Sequence, residues 1–162
     1  MVVFIYFAAI VSANLLIAAF GPWFSPINAF VLIGLDLVLR DHLHDKWQGQ
    51  GFIPRMLGLI IGAGVVSYLL NPASSQIAIA SAVAFTAAAM VNMLMYQKFI
   101  NLPFIKKSNL SNAPAAAVDS VIFPTLAFGI LMPEIVLLQF AAKVGGGFFW
   151  SLIVNRFRGR LA

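Results

Sequence analysis

Apolar residues run almost unbroken from Val2 to Phe20 before Gly21-Pro22 closes the stretch. That length predicts a first transmembrane helix, ended by a residue free in φ and one without an N–H. A second run, from about Pro26 to Leu39, is apolar except for Asn28 and Asp36. It ends in the dense cluster Arg40, Asp41, His42, His44, Asp45 and Lys46, where the helix is expected to leave the membrane for a solvated loop. Gly49, Gly51 and Pro54 break that loop. A third helix is predicted from about Pro54 to Leu70, closed by Asn71-Pro72. The fourth, rich in Ala, spans about Gln76 to Gln97 and leads into a connection holding Lys98, Pro103, Lys106 and Lys107. A fifth follows from about Ala113 to Met132, and a sixth from Glu134 to about Asn155, before Arg156, Arg158 and Arg160. The predicted class is an all-α polytopic membrane protein, with six transmembrane helices in a single domain over residues 1–162. The first run has no basic flank and no clear cleavage site, so it reads as a retained helix rather than a leader.

Composition strengthens this picture. Only 9% of the 162 residues are charged, against about 25% in soluble proteins, and mean hydropathy is +0.97. A soluble globule is excluded, because a chain this short has too little interior to hide 62% hydrophobic residues. The net charge of +5 does not point to nucleic acid, since the basic residues sit between apolar runs and form no stripe. Arg40, Lys46 and Arg55 follow the second helix, Lys98, Lys106 and Lys107 follow the fourth, and three arginines follow the sixth. The connections after helices one, three and five have none. The positive-inside rule then places both termini in the cytoplasm. With no cysteine, disulfides and thiolate chemistry are excluded.

A charge at membrane depth is costly unless paired or hydrated, so the ionisable residues within the spans are the candidate site. Asp36 and Arg40 are four apart on one helix face, suited to a local ion pair that could also simply anchor the helix end. Asp119 lies nearly two turns into the fifth helix. Lys143, near the middle of the sixth, cannot easily snorkel to either surface and is expected to meet Asp119. Asn14, Asn28, Asn92, Ser120 and Gln139 need hydrogen-bond partners away from lipid, which helix–helix contacts could supply. With Phe85, Tyr96 and Phe123 they could instead form a flat slot for a planar ring.

Other features have plainer readings. His42 and His44, two apart, do not share a helix face and are read as part of a solvated loop, not as metal ligands. Glu134 suits a helix N-terminus. Gly58 and Gly62, the Ala80, Ala84 and Ala88 stripe, and Gly145 to Gly147 are expected to let helices pack closely within the chain, with a homodimer seam or a hinge as alternatives. No phosphate-binding loop, zinc motif or nucleophile–base pair is present, so neither an enzyme nor a bound cofactor is expected.

The stretch 28–40 with Asp36 and Arg40, the pair Ala80-Ser81, and the stretch 117–123 with Asp119-Ser120, followed by Ala127-Phe128, resemble the VUT family of vitamin uptake transporters, associated with queuosine precursors. Asn14 and Lys143 fit the same pattern, whereas Asn92 and Gln139 are amides where some members carry acids. The resemblance implies a bacterial inner-membrane importer of 7-deazapurines such as 7-cyano-7-deazaguanine, similar in architecture to the substrate-binding components of energy-coupling-factor systems. It implies a substrate site drawn from Asn14, Asp36, Arg40, Ser81, Phe85, Asn92, Asp119, Ser120, Phe123, Gln139 and Lys143. The expected partners are a nucleobase-like small molecule and the lipid bilayer, with a second copy or an energy-coupling module as further candidates. Two other functions fit the same residues: a vitamin-capturing subunit dependent on such a module, and a membrane interaction protein that transports nothing.

Overall fold

The computed structural model describes residues 1–157. They form six long helices: α1 (Val2–Phe20), α2 (Pro22–Trp47), α3 (Phe52–Leu70), α4 (Pro72–Lys98), α5 (Phe104–Phe128) and α6 (Pro133–Phe157). Arg158 and Arg160 lie outside the described residues. All of these helices except α5 are long and apolar enough to cross a membrane, which makes the chain an all-α, multi-pass membrane protein. The exception follows from composition, because Ser108, Asn109, Ser111, Asn112, Asp119 and Ser120 dilute the apolar content of α5.

Two boundaries depart from expectation. The cluster from Arg40 to Lys46 is not a solvated loop: α2 continues to Trp47, with Arg40, Asp41, His42 and His44 all buried. α5 begins at Phe104, not near Ala113, so Lys106 and Lys107 belong to a helix and Pro114 and Pro124 lie inside it. Both errors have one cause. Charge and proline signal a helix end where water competes for the backbone, but neighbouring helices can supply partners instead and remove that penalty.

The helices close a ring. α1 packs on α2, α2 on α6, α6 on α5, α5 on α4, α4 on α3, and α3 returns to α1. Large apolar side chains such as Phe4, Ile61, Ile79, Leu94, Leu137 and Leu152 point outward, while polar ones fill much of the middle. This reverses the soluble pattern, as lipid is the outer solvent. Lys107 on α5 pairs with Asp45 on α2 at 2.8 Å, which brings the basic connections after α2 and α4 to the same end of the ring.

The closest helix contact lies between α2 and α6. A Cβ on Gly146 would overlap the carbonyl oxygen of Phe30, and one on Gly34 would come within 2.7 Å of the Gly146 carbonyl carbon. Beside this crossing α2 widens into a π-helical segment, Ala29–Ile33, and Trp150 Nε1 donates to the Val31 carbonyl at 2.9 Å. The wider turn leaves its backbone open to bonds from outside the helix. The Ala80, Ala84 and Ala88 stripe is buried, in keeping with close packing of α4. Gly58 differs: it is exposed, and a Cβ there would meet nothing within 4 Å, whereas one on Gly62 would lie 3.4 Å from the Phe7 ring of α1, so only the second glycine of that motif packs inside the chain. Gly146→Ala is therefore expected to cost about 2 kcal/mol or more through overpacking, read as a lowered melting temperature in detergent. Gly58→Ala should leave that temperature unchanged or raise it.

Candidate functional site

All six helices contribute to one buried polar centre. Lys143 Nζ on α6 meets Asp119 Oδ2 on α5 at 2.7 Å, and also donates to Ser120 Oγ at 3.0 Å and Gln139 Oε1 at 2.8 Å. Gln139 Nε2 donates in turn to Ser25 Oγ on α2. From α1, Asn14 Nδ2 donates to Ser67 Oγ on α3 at 3.1 Å. α4 supplies Ser81 and Phe85. Helical spacing explains the convergence: Gln139 and Lys143 are one turn apart on α6, and Ser81 and Phe85 one turn apart on α4, so each helix turns a single polar or aromatic stripe inward.

Asn14, Ser25, Asn28, Ser81, Phe85, Asp119, Phe123, Gln139 and Lys143 line a common cavity. Its free space is ≈ 20 Å³, about the room of one water, so a purine-sized ring enters only if side chains such as Phe85 and Phe123 move aside. Two acceptor atoms on the lining, Asn28 Oδ1 and Asp119 Oδ1, are buried without a hydrogen-bond partner. A water or a donor-bearing ligand in the cavity would satisfy them.

A second ion pair lies next to the first. Arg40 Nη2 meets Asp36 Oδ2 at 2.6 Å, both fully buried, with Tyr6 of α1 facing them and the guanidinium above the Phe85 ring at 5.9 Å. Asp36 is near enough to Asp119 and Lys143 for their charges to interact. The two pairs thus form one electrostatic unit, joined to the cavity through Phe85.

Most of the expected residues meet here. Asn14, Asn28, Ser81, Phe85, Asp119, Phe123, Gln139 and Lys143 line the cavity, Ser120 binds Lys143, and Asp36 with Arg40 stands alongside. Asn92 and Tyr96 do not belong to the slot. Asn92 lies toward the basic end, bonding Asp41 Oδ1 at 3.0 Å, Ser111 Oγ at 3.2 Å and Asn112 Oδ1 at 2.7 Å. Tyr96, one turn further along α4, packs on His44. Ser25, which no motif singles out, joins the site through Gln139.

A separate network went unforeseen. Asp41 accepts from Asn92 Nδ2, from Asn112 Nδ2 at 2.8 Å and from the Ser108 hydroxyl. Its signal is present in the sequence as Ser108, Ser111, Asn112, Ala115 and Asp119, spaced along one helical face, but it is visible only once α5 is known to begin before Ser108.

The fold and centre define a multi-pass helical membrane protein built around buried, paired charges. Compared with family models, curated proteins and solved structures, the chain matches none. Removing one partner of a buried pair strands the other, at a cost of about 3–5 kcal/mol. Lys143→Met should lower stability by that order in detergent unfolding. Asp119→Asn combined with it should recover part of the loss, giving a non-additive double-mutant cycle.

Proposed function

We propose that this chain is a six-span importer of a neutral, planar nucleobase derivative in a bacterial inner membrane, with both termini in the cytoplasm. The observation that carries the reading is the cavity shared by Asp119, Lys143, Gln139 and Asn28, with unsatisfied acceptors on its wall and Phe85 and Phe123 beside it. Polar groups held this deep in an apolar bundle are costly, and a membrane protein whose only task is contact gains little from them. A guanine-like ring offers N–H donors to Asp119 and Asn28, accepts from Lys143 or Gln139, and presents flat faces to the phenylalanines. The resemblance to the VUT family narrows the substrate to a 7-deazapurine such as 7-cyano-7-deazaguanine.

α5 supplies the sixth span. Its polar residues face the centre, while Leu110, Val121 and Leu126 are exposed on its outer face, so its weak overall hydropathy reflects what it buries. Lys46, Arg55, Lys98, Lys106 and Lys107 then share the cytoplasmic side with the termini.

The test is uptake in cells unable to make queuosine, supplied with 7-cyano-7-deazaguanine and read as tRNA modification. Expression of this chain alone should restore modification, and Lys143→Met or Asp119→Asn should reduce initial uptake at least tenfold at matched membrane levels. Restoration only with a co-expressed energy-coupling module would replace this reading with that of a capture subunit. No restoration by well-expressed protein would overturn import of this substrate.

A further inference from the structure

One buried carboxylate stands outside the ion pairs of the described residues. Asp36 pairs with Arg40, and Asp119 with Lys143, but Asp41, fully buried on α2, has no cation within ion-pair distance among the described residues. Arg40 precedes it in the chain and attracts it, yet that guanidinium is bonded to Asp36. Lys107, which precedes Ser108 on α5, is held by Asp45. The four aspartates of the bundle, Asp36, Asp41, Asp45 and Asp119, therefore share three ion-paired cations, Arg40, Lys107 and Lys143, and Asp41 is the one left outside a pair. A buried carboxylate that is hydrogen-bonded but has no counter-ion can be neutralised by a single positive charge.

We propose that Asp41 is a proton-binding site that couples proton movement to transport, an inference that rests on the import reading. The partners select a proton over a metal ion. Both amides turn N–H groups toward the carboxylate, Asn92 Nδ2 at 3.0 Å and Asn112 Nδ2 at 2.8 Å, whereas a metal would need inward-facing oxygens. The Ser108 hydroxyl donates to the ionised carboxylate and, by reversing, accepts from the protonated one without moving its oxygen. The step is a simple association, a carboxylate plus a proton giving a carboxylic acid.

Access is from the basic end. His44, one turn beyond Asp41 on the same face of α2, is buried and stacked on Phe52 and beside Tyr96. It also lines a wide groove of ≈ 650 Å³ with Gln48, Gln97 and Lys98. The groups around Asp41 are thus Asp36, Arg40, His42, His44 and Asp45 on its own helix, Asn92 and Tyr96 on α4, and Lys107, Ser108 and Asn112 on α5. Its hydrogen bonds tie α2, α4 and α5 together, and neutralising the carboxylate weakens each of them. Protonation would loosen the bundle at the end through which substrate must leave.

Two measurements test this. Infrared difference spectra of the full chain in nanodiscs, taken between acid and alkaline buffer, should contain a protonated-carboxyl band that is lost in Asp41→Asn. If that variant does not fold, Ser108→Ala should shift the same band in frequency. Added sodium should leave it unchanged. A band unaffected by either substitution, or one altered by sodium, overturns the proposal. In proteoliposomes holding a pH dye, 7-cyano-7-deazaguanine should drive proton entry in the wild type, and Asp41→Asn should keep counterflow of that substrate but lose proton entry at least tenfold. Counterflow without proton movement in the wild type overturns coupling while the import reading stands. Absence of counterflow in the wild type overturns the import reading, with the infrared result still reporting on Asp41.

Discussion

A charge surrounded by lipid must find its counter-charge inside the protein, and Lys143 imposes that condition on the whole bundle. Its ammonium is buried with Asp119, Ser120 and Gln139 around it, so α5 and α6 must face each other in one rotation and one register. Any slip would leave a lysine and an aspartate separately buried, and each would cost several kcal/mol. Gln139 extends the constraint to Ser25 and so to α2. The interaction is therefore less a source of stability than a device that rejects other packings.

The α2–α6 crossing acts by a different force toward the same end. Gly34 and Gly146 bring two backbones to a separation that any side chain would prevent, and packing at that distance is the main attraction available between helices in lipid. The π-helical segment Ala29–Ile33 sits at this contact, between Asn28 in the cavity and Asp36 beside it. An added residue per turn rotates the remainder of the helix, so the segment sets which faces of α2 meet the polar centre on either side of it. Trp150 holds it in place from α6.

Polar groups occupy two levels of the ring. The central level pairs its charges and leaves two acceptors open on a cavity wall. The other, at the basic end, spends its hydrogen bonds on the single carboxylate of Asp41 and joins three helices through it. On the proposed import function the first would recognise a ring and the second would govern its exit. Arg40 and Asp41, adjacent in the chain, face one level each, so α2 contributes a charged side chain to both.

Much of this was legible from the residues alone. A lysine in mid-span can be tolerated only beside an acid, which singles out Asp119, and a spacing of four places Arg40 on Asp36. Apolar runs of bilayer length locate the helices, because lipid leaves the backbone no other way to satisfy its hydrogen bonds. The sequence could not reveal that Arg40 to Lys46 remain helical, with Arg40 to His44 buried, nor that α5 begins at Phe104, because local signals equate charge and proline with water. Whether Asn92 looks toward Lys143 or Asp41, and whether Gly58 meets a helix or lipid, depends on helix rotation about the ring axis. That rotation is decided by long-range pairing and by which backbones can touch, neither of which is written in any one stretch of chain.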